Sequence, residues 1–162
     1  MFLDYRFLSQ DVLQLFTDAS NTIGYGGYFG PRWFAGEWAN ELKTLNIAIF
    51  ELYPICLAIK LWGTLLSNKC LQINSDNMAV VHILNSSTSK DSTIMSLLRI
   101  FVLDCMKYNI LIRSKHLLGS SNQCSDLLSR GQVSKAQRMF PFLQTSQERI
   151  PLEWELDQLL KT

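Results

Sequence analysis

The sequence has almost no net charge and lacks the features that mark secreted, membrane-spanning or disordered chains. Its 15 Lys and Arg residues nearly balance its 14 Asp and Glu residues, and no low-complexity tract or internal repeat is visible. Its N-terminal residues lack the basic and then apolar layout of a signal peptide. The longest apolar stretch, from Ile47 to Leu66, is broken by Glu51, Pro54 and Lys60, which argues against a membrane span. We therefore expect an intracellular protein, cytoplasmic or nuclear, that is not secreted and has no membrane partner.

The four cysteines also lack a pattern. They stand at Cys56, Cys70, Cys105 and Cys124, and none of them forms a CxxC pair. Zinc sites often use such pairs, and disulfide frameworks are rare inside the cell. The cysteines are therefore interpreted as reduced thiols of a protein core.

What the sequence does contain fits one globular domain with a short appendage. The chain has 162 residues, of which 48% are hydrophobic and 18% are charged, so it can bury a sizeable core. Residues 1–130 are predicted to form the domain, and residues 131–162 a C-terminal linker or tail. The tail is acidic from residue 147 onward, whereas the residues before it are mildly basic, which is compatible with a phosphate-bearing partner.

The tail contains one amphipathic pattern. Leu152, Leu156, Leu159 and Leu160 could line one face of a short terminal helix. Such a helix would either pack back on the domain or dock a neighbouring domain.

The apolar patterns of the remaining chain predict an α/β fold. Runs rich in β-formers and bounded by turn residues predict strands, and apolar residues at three- and four-residue spacing predict helices. The strands are expected at 13–20, 24–29, 32–38, 70–76 and 110–116, and the helices at 50–66, 78–84, 91–108 and 123–129. The first three strands should form an antiparallel meander, and the other two should add in parallel. The prediction is therefore a five-stranded mixed sheet with helices on both faces.

A proline constrains where the long helix begins. Pro54 is tolerated only in a first helical turn, unless the helix is kinked there. A start near Phe50 satisfies this rule and places Glu51 in the first turn, at the positive end of the helix dipole.

Four carboxylates stand on apolar elements, where packing does not explain them. Asp18 and Asp76 end strand-like runs, Glu51 lies inside an apolar helix, and Asp126 opens a short helix after a polar loop. Each could have an ordinary role, as a strand-end cap, a helix cap or a first-turn acid. Burying four unpaired acids is costly, however, and a pair of divalent ions is the simplest shared compensator. The pattern therefore indicates Mg²⁺, for which Mn²⁺ can substitute.

A series of motifs in fixed order carries a family resemblance: TDAS at 17–20, GEW at 36–38, FELYPICLAIKLWG at 50–63, SDNMAVV at 75–81, HLLGSSN at 116–122 and SDLLSR at 125–130. Together they resemble the ribonuclease H domain of tyrosine-recombinase retrotransposons, the DIRS and Ngaro group. The chain departs from the family pattern at Leu118, where proline is usual, and at Ser125, where alanine is common. The separate basic handle of cellular ribonuclease H also has no counterpart in the short span from Asp76 to Asp126.

The resemblance implies a ribonuclease H-like fold and a metal-dependent endonuclease that hydrolyses the RNA strand of RNA–DNA hybrids during reverse transcription. A reverse transcriptase domain of the same element would be its partner. The four metal-binding acids carry over onto Asp18, Glu51, Asp76 and Asp126, with Asp18 shared by two Mg²⁺ ions and Asp126 serving the second. His116 takes the place of a mobile histidine that assists cleavage and product release.

Polar residues beside these acids are the candidates for substrate contact. Ser20, Asn77 and Asn122 would reach the sugar or phosphate groups, and the enzyme must sense a 2′-hydroxyl group. Two other functions stay open. The modest charge is compatible with an inactive or domesticated ribonuclease H-fold module that binds nucleic acid or a protein. A related two-metal nuclease acting on DNA would use the same fold.

Overall fold

Three consecutive strands open the fold, and strands alternate with helices after them. The structure, a computed structural model, describes residues 12–42 and 45–161. Its strands are β1 (Val12–Ala19), β2 (Gly24–Phe29), β3 (Arg32–Glu37), β4 (Cys70–Ser75) and β5 (Leu111–His116). Its helices are α1 (Ile47–Leu66), α2 (Met78–Ser86), α3 (Ser92–Tyr108), α4 (Gln123–Ser129), α5 (Val133–Met139) and α6 (Leu156–Leu159).

The strands form one mixed sheet in the order β3-β2-β1-β4-β5. β1 pairs antiparallel with β2, and β2 with β3, because short turns connect them; the β2–β3 turn places Gly30 at a φ of 55°. β4 joins β1 in parallel, and β5 joins β4 in parallel, because helices make the crossovers. The predicted five-stranded mixed sheet is confirmed.

Helices cover both faces of this sheet. On one face α1 packs on β1 and β2, and α3 packs on α1, which together enclose the main core. On the other face α4 covers the meander and a smaller cluster surrounds Trp33 and Leu128. By length and composition α1 could cross a membrane, but 78% of its apolar window is buried inside the protein. Its apolar character is therefore explained by the core.

The prediction that α1 begins near Phe50 is wrong. The helix begins at Ile47, because the side chain of Asn46 caps it by accepting a hydrogen bond of 2.8 Å from the Ala48 backbone N–H. Pro54 consequently lies inside the helix, where it cannot donate to the carbonyl group four residues earlier. Glu51 is then outside the first turn, so the helix dipole does not account for an acid at this position.

The last part of the chain covers the exposed edge of β3. We call residues 140–161 the C-terminal strap. The Gln144 backbone N–H donates to the Pro31 carbonyl (2.9 Å), and the Glu148 N–H donates to the Trp33 carbonyl (2.8 Å). The Trp33 indole N–H in turn donates to the Gln144 carbonyl at 2.7 Å. These bonds pair backbone groups of an edge strand that would otherwise be open to another chain.

The strap ends on α1. Leu156 and Leu159 of α6 are buried in the main core, and the Tyr53 hydroxyl donates to the Trp154 carbonyl at 2.9 Å. The short helix thus packs back on the sheet and helix core. The division of the chain at residue 130 stays a prediction, and these contacts bear on how it should be tested.

Candidate metal centre

The carboxyl ends of two neighbouring parallel strands bring the first two acids together. Phe16 of β1 lies beside Asn74 of β4 in the register of this pair. Two residues further along the chain stand Asp18, still within β1, and Asp76, directly after β4, so both acids are at the same edge of the sheet. Strand ends of this kind are where sites form in α/β sheets.

α1 adds a third acid to this edge. The side chains of Asp18, Glu51 and Asp76 each offer an oxygen, and these three oxygens all lie within 4.8 Å of one another. Asp18 is 5% exposed and Glu51 is 6% exposed, whereas Asp76 is half-buried. The Glu51 Oε2 atom is buried and has no hydrogen-bond partner among the described residues. A buried carboxylate oxygen without a partner, on an acid that clusters with two others, fits a hard divalent cation.

The electrostatics of the cluster support the same conclusion. Burial, and then repulsion from Asp76, raises the pKa of Asp18 to about 7, although a hydrogen bond from Ser129 opposes the shift. Burial, and then repulsion from Asp18 and Asp76, raises the pKa of Glu51 to about 9. Burial also raises the pKa of Asp76. Each acid therefore resists ionisation until a positive charge joins the cluster.

We expect the ion-free protein to lose stability as the pH rises above about 4. The loss due to Asp18 should continue to about pH 7, and the loss due to Glu51 to about pH 9. Over this window the folded state keeps protons that the unfolded state releases, so deprotonation favours unfolding. Urea unfolding midpoints with a chelator, at about pH 5 and about pH 8, would measure the decline. Mg²⁺ should make the decline shallower, and so should Glu51→Gln. An equally steep decline in Glu51→Gln would contradict the assignment.

Asp126 lies beside the cluster but outside it. It is not among the acids whose oxygens approach within 4.8 Å of one another, and its Oδ1 atom accepts a hydrogen bond of 3.0 Å from Arg130 Nε. Its charge nevertheless contributes to the raised pKa of Asp18. The structure thus brings three of the four predicted ligands together and places the fourth at the rim.

A glycine in β2 allows α4 to come this close. Gly26 pairs with Asp18 across the sheet, and a Cβ atom on Gly26 would lie 2.5 Å from the Leu128 Cβ atom. Any other residue would push α4 away from β1. The close approach lets the buried Ser129 hydroxyl donate to Asp18 Oδ2 at 2.9 Å.

His116 ends β5 next to the cluster. Its Nε2 atom lies 3.2 Å from the Asp76 backbone oxygen, and its ring is half-buried. A histidine at this place can exchange a proton with groups near the carboxylates.

The predicted substrate contacts are placed differently from one another. The Ser20 hydroxyl accepts from backbone N–H groups of its own turn, and the Asn77 side chain caps α2 by accepting from Val80 N–H at 3.0 Å. Both remain partly exposed. Asn122 is 2% exposed and donates to the Thr17 carbonyl at 3.0 Å. This hydrogen bond makes Asn122 a residue that fixes α4 on β1, and its contact with substrate stays a prediction.

Sequence reasoning missed two residues at the end of α4. Ser129 and Arg130 stand three and four residues after Asp126, a spacing at which side chains of a helix meet. Arg130 belongs to the SDLLSR motif, and its spacing of four residues from Asp126 is enough to predict their ion pair. The bond from Ser129 to Asp18 cannot be predicted in this way, because it depends on the contact between α4 and the sheet.

Comparisons with known proteins agree with this architecture. No protein family model and no curated protein matches the sequence. Among solved structures, the chain is similar to LC11-RNase H1, isolated from compost by a metagenomic approach, with a TM-score of 0.50 over 77% of this chain and 96% of that chain. The chain has a ribonuclease H-like fold. The two sequences are 15% identical, so the likeness establishes the fold alone.

Proposed function

We propose that this chain is a divalent-metal-dependent endonuclease that hydrolyses the RNA strand of RNA–DNA hybrids. The observation that carries the proposal is the buried cluster of Asp18, Glu51 and Asp76, with its orphaned Glu51 oxygen, at the strand ends of a ribonuclease H-like fold. A structural role alone would not explain three clustered acids with raised pKa values and a buried Glu51 oxygen that has no partner among the described residues. The motif order favours a retroelement origin of the DIRS and Ngaro type, with a reverse transcriptase domain as partner.

The residues fit a site for Mg²⁺, with Mn²⁺ as a substitute. Asp18, Glu51 and Asp76 would hold one ion, and Asp18 with Asp126 would hold a second. Bound in this way, the ions supply Lewis-acid polarisation of the scissile phosphate and a more acidic water molecule. Hard oxygen donors of this kind are the ligands that Mg²⁺ prefers.

The other polar residues would act on the substrate and on protons. His116 would carry a proton at Nε2 to or from the leaving oxygen. Ser20 and Asn77, which flank Asp18 and Asp76 in sequence, would contact the sugar-phosphate backbone, and discrimination against DNA requires a contact with the 2′-hydroxyl group.

Cleavage of a labelled RNA–DNA hybrid tests the proposal. We expect Mg²⁺ or Mn²⁺ to support cutting of the RNA strand and a chelator to stop it. Asp76→Asn should abolish cutting, because an amide is a much weaker ligand for a hard cation than a carboxylate. Asp157→Asn, which removes a similar charge from α6 outside the cluster, should leave cutting unchanged.

Three results would contradict the proposal in different ways. Full activity in Asp76→Asn would show that the cluster is not the site. Cutting of duplex DNA in preference to the hybrid would favour a DNA nuclease. Binding of the hybrid without any cutting would favour an inactive binding module.

A further inference from the structure

The guanidinium group of Arg130 already lies at the rim of the acidic centre. Arg130 follows α4, and its Nε atom lies 3.0 Å from Asp126 Oδ1. The hydrogen bond to Asp126 is the main cause that raises the pKa of Arg130, and the charge of Asp18 adds to it. Arg130 is therefore bound to Asp126 and attracted by the charge of Asp18, the two acids that share a second ion in the proposed function.

The ion pair between Arg130 and Asp126 is exposed enough for another cation to replace Arg130. The side chains of Arg130 and Asp126 are 52% and 43% exposed. The pair between Lys60 and Asp104, in contrast, has side chains only 17% and 18% exposed. Because an ion pair open to water contributes little stability, the Arg130 pair can open at low cost when another cation arrives.

The two proposed ion sites differ in whether a side chain already occupies them. At the cluster of Asp18, Glu51 and Asp76 the orphaned Glu51 oxygen offers a ligand that no side chain has to leave. At Asp126 the carboxylate is already paired with Arg130. The Ser129 hydroxyl lies 2.9 Å from Asp18 Oδ2 and 2.8 Å from the Asp126 carbonyl oxygen, so Asp18 has a contact with α4 that does not involve Arg130.

We infer that Arg130 is a resident cation that holds Asp126 in the ion-free protein, and that a second divalent ion binds only by displacing it. The inference rests on the proposed function, because it assumes an ion at the three-acid cluster. It makes Arg130 a positioning residue that sets the affinity of the second ion. The two ions should therefore bind in sequence, the first without competition and the second against the guanidinium group.

Titration of the full chain with Mn²⁺ tests this inference without any substrate. Free Mn²⁺ can be followed by its paramagnetic resonance signal, which gives the stoichiometry and both dissociation constants. Arg130→Gln should tighten the second Mn²⁺ about two- to fivefold, the range expected when an exposed ion pair no longer competes, and leave the first unchanged. Arg130→Lys keeps the charge and should stay near the wild-type value. Arg138→Gln, at the end of α5, removes a charge elsewhere and should change neither constant.

The outcomes separate the inference from the function beneath it. Equal or weaker second-ion binding in Arg130→Gln, with two ions still bound, would overturn the inference and leave the proposed nuclease standing. Equal tightening in Arg130→Lys and Arg130→Gln would also overturn it, because the charge would then not be the cause. Fewer than two ions in both the wild type and Arg130→Gln would overturn the inference and remove the support for a two-ion site.

Discussion

Replacing Asp18 by asparagine should abolish hybrid cleavage while making the ion-free protein more stable. Asp18 is buried beside Glu51 and Asp76, and burial, followed by repulsion from Asp76, raises its pKa to about 7. The amide removes the charge and keeps the shape, and the Ser129 hydroxyl can still donate to its oxygen. Near pH 8 we expect the melting temperature without divalent ions to rise by about 2–4 °C for each kcal/mol of repulsion removed. Cleavage should fall by about a thousandfold or more, because several kcal/mol of transition-state stabilisation is lost.

The two effects of Asp18→Asn should be measured on the same preparation. Thermal melts with a chelator and then with Mn²⁺ give the stability, and a hybrid cleavage assay gives the activity. The wild type should gain stability from Mn²⁺ through binding linkage, whereas the variant should gain little. Asp91→Asn is a matched control, since Asp91 caps α3 and asparagine caps almost equally well, so both readouts should stay near wild type. A lower ion-free melting temperature in Asp18→Asn would show that Asp18 stabilises the fold and does not strain it.

Removing residues 131–162 should unfold or aggregate the chain, even though the sequence predicts the domain to end at residue 130. The deletion removes Leu143 beside Trp33 and the two buried leucines of α6, Leu156 and Leu159. Each buried leucine contributes about 1.5–3 kcal/mol, and the total stability of a domain is only about 5–15 kcal/mol. The deletion also exposes the edge of β3, which invites pairing between chains.

Two point substitutions distinguish the effect of losing buried leucines from the effect of shortening the chain. Leu156→Ala should destabilise the full chain by about 2–5 kcal/mol, because Leu156 is 2% exposed. Leu152→Ala should change stability by less than about 0.5 kcal/mol, because Leu152 is 79% exposed. Chemical unfolding gives both values, and size-exclusion chromatography shows whether the truncated chain aggregates. A truncated chain that melts cooperatively as a monomer would establish residues 1–130 as an independent domain.

The sequence predicted most element positions because their signals are local. The glycine-rich strand Gly24–Phe29 and the short helix Gln123–Ser129 have the boundaries that their patterns indicated. The prediction for the start of α1 was wrong because Asn46 caps the helix one turn before the start that Pro54 alone indicates. A buried helix can keep a proline in its interior when the surrounding core fixes it.

The centre was harder to predict than the sheet. The convergence of Asp18, Glu51 and Asp76 follows from their places at strand ends and in an apolar helix, and the structure brings them together. The burial of Asn122 and the bond from Ser129 to Asp18 depend on how α4 packs against β1. Contacts between elements distant in sequence leave no periodic signal in either element.

The placement of Gly26 has a consequence for how the protein fails under stress. Asp18, Glu51 and Asp76 belong to β1, α1 and the end of β4, which share the main core, whereas Asp126 depends on the docking of α4 against Gly26. Local opening can release a small peripheral element while the rest stays folded. Detachment of α4 would leave the cluster of Asp18, Glu51 and Asp76 in place but without Asp126 beside it. In the proposed function, metal binding by a heated or mutated sample would then overstate how much of it retains all four acids.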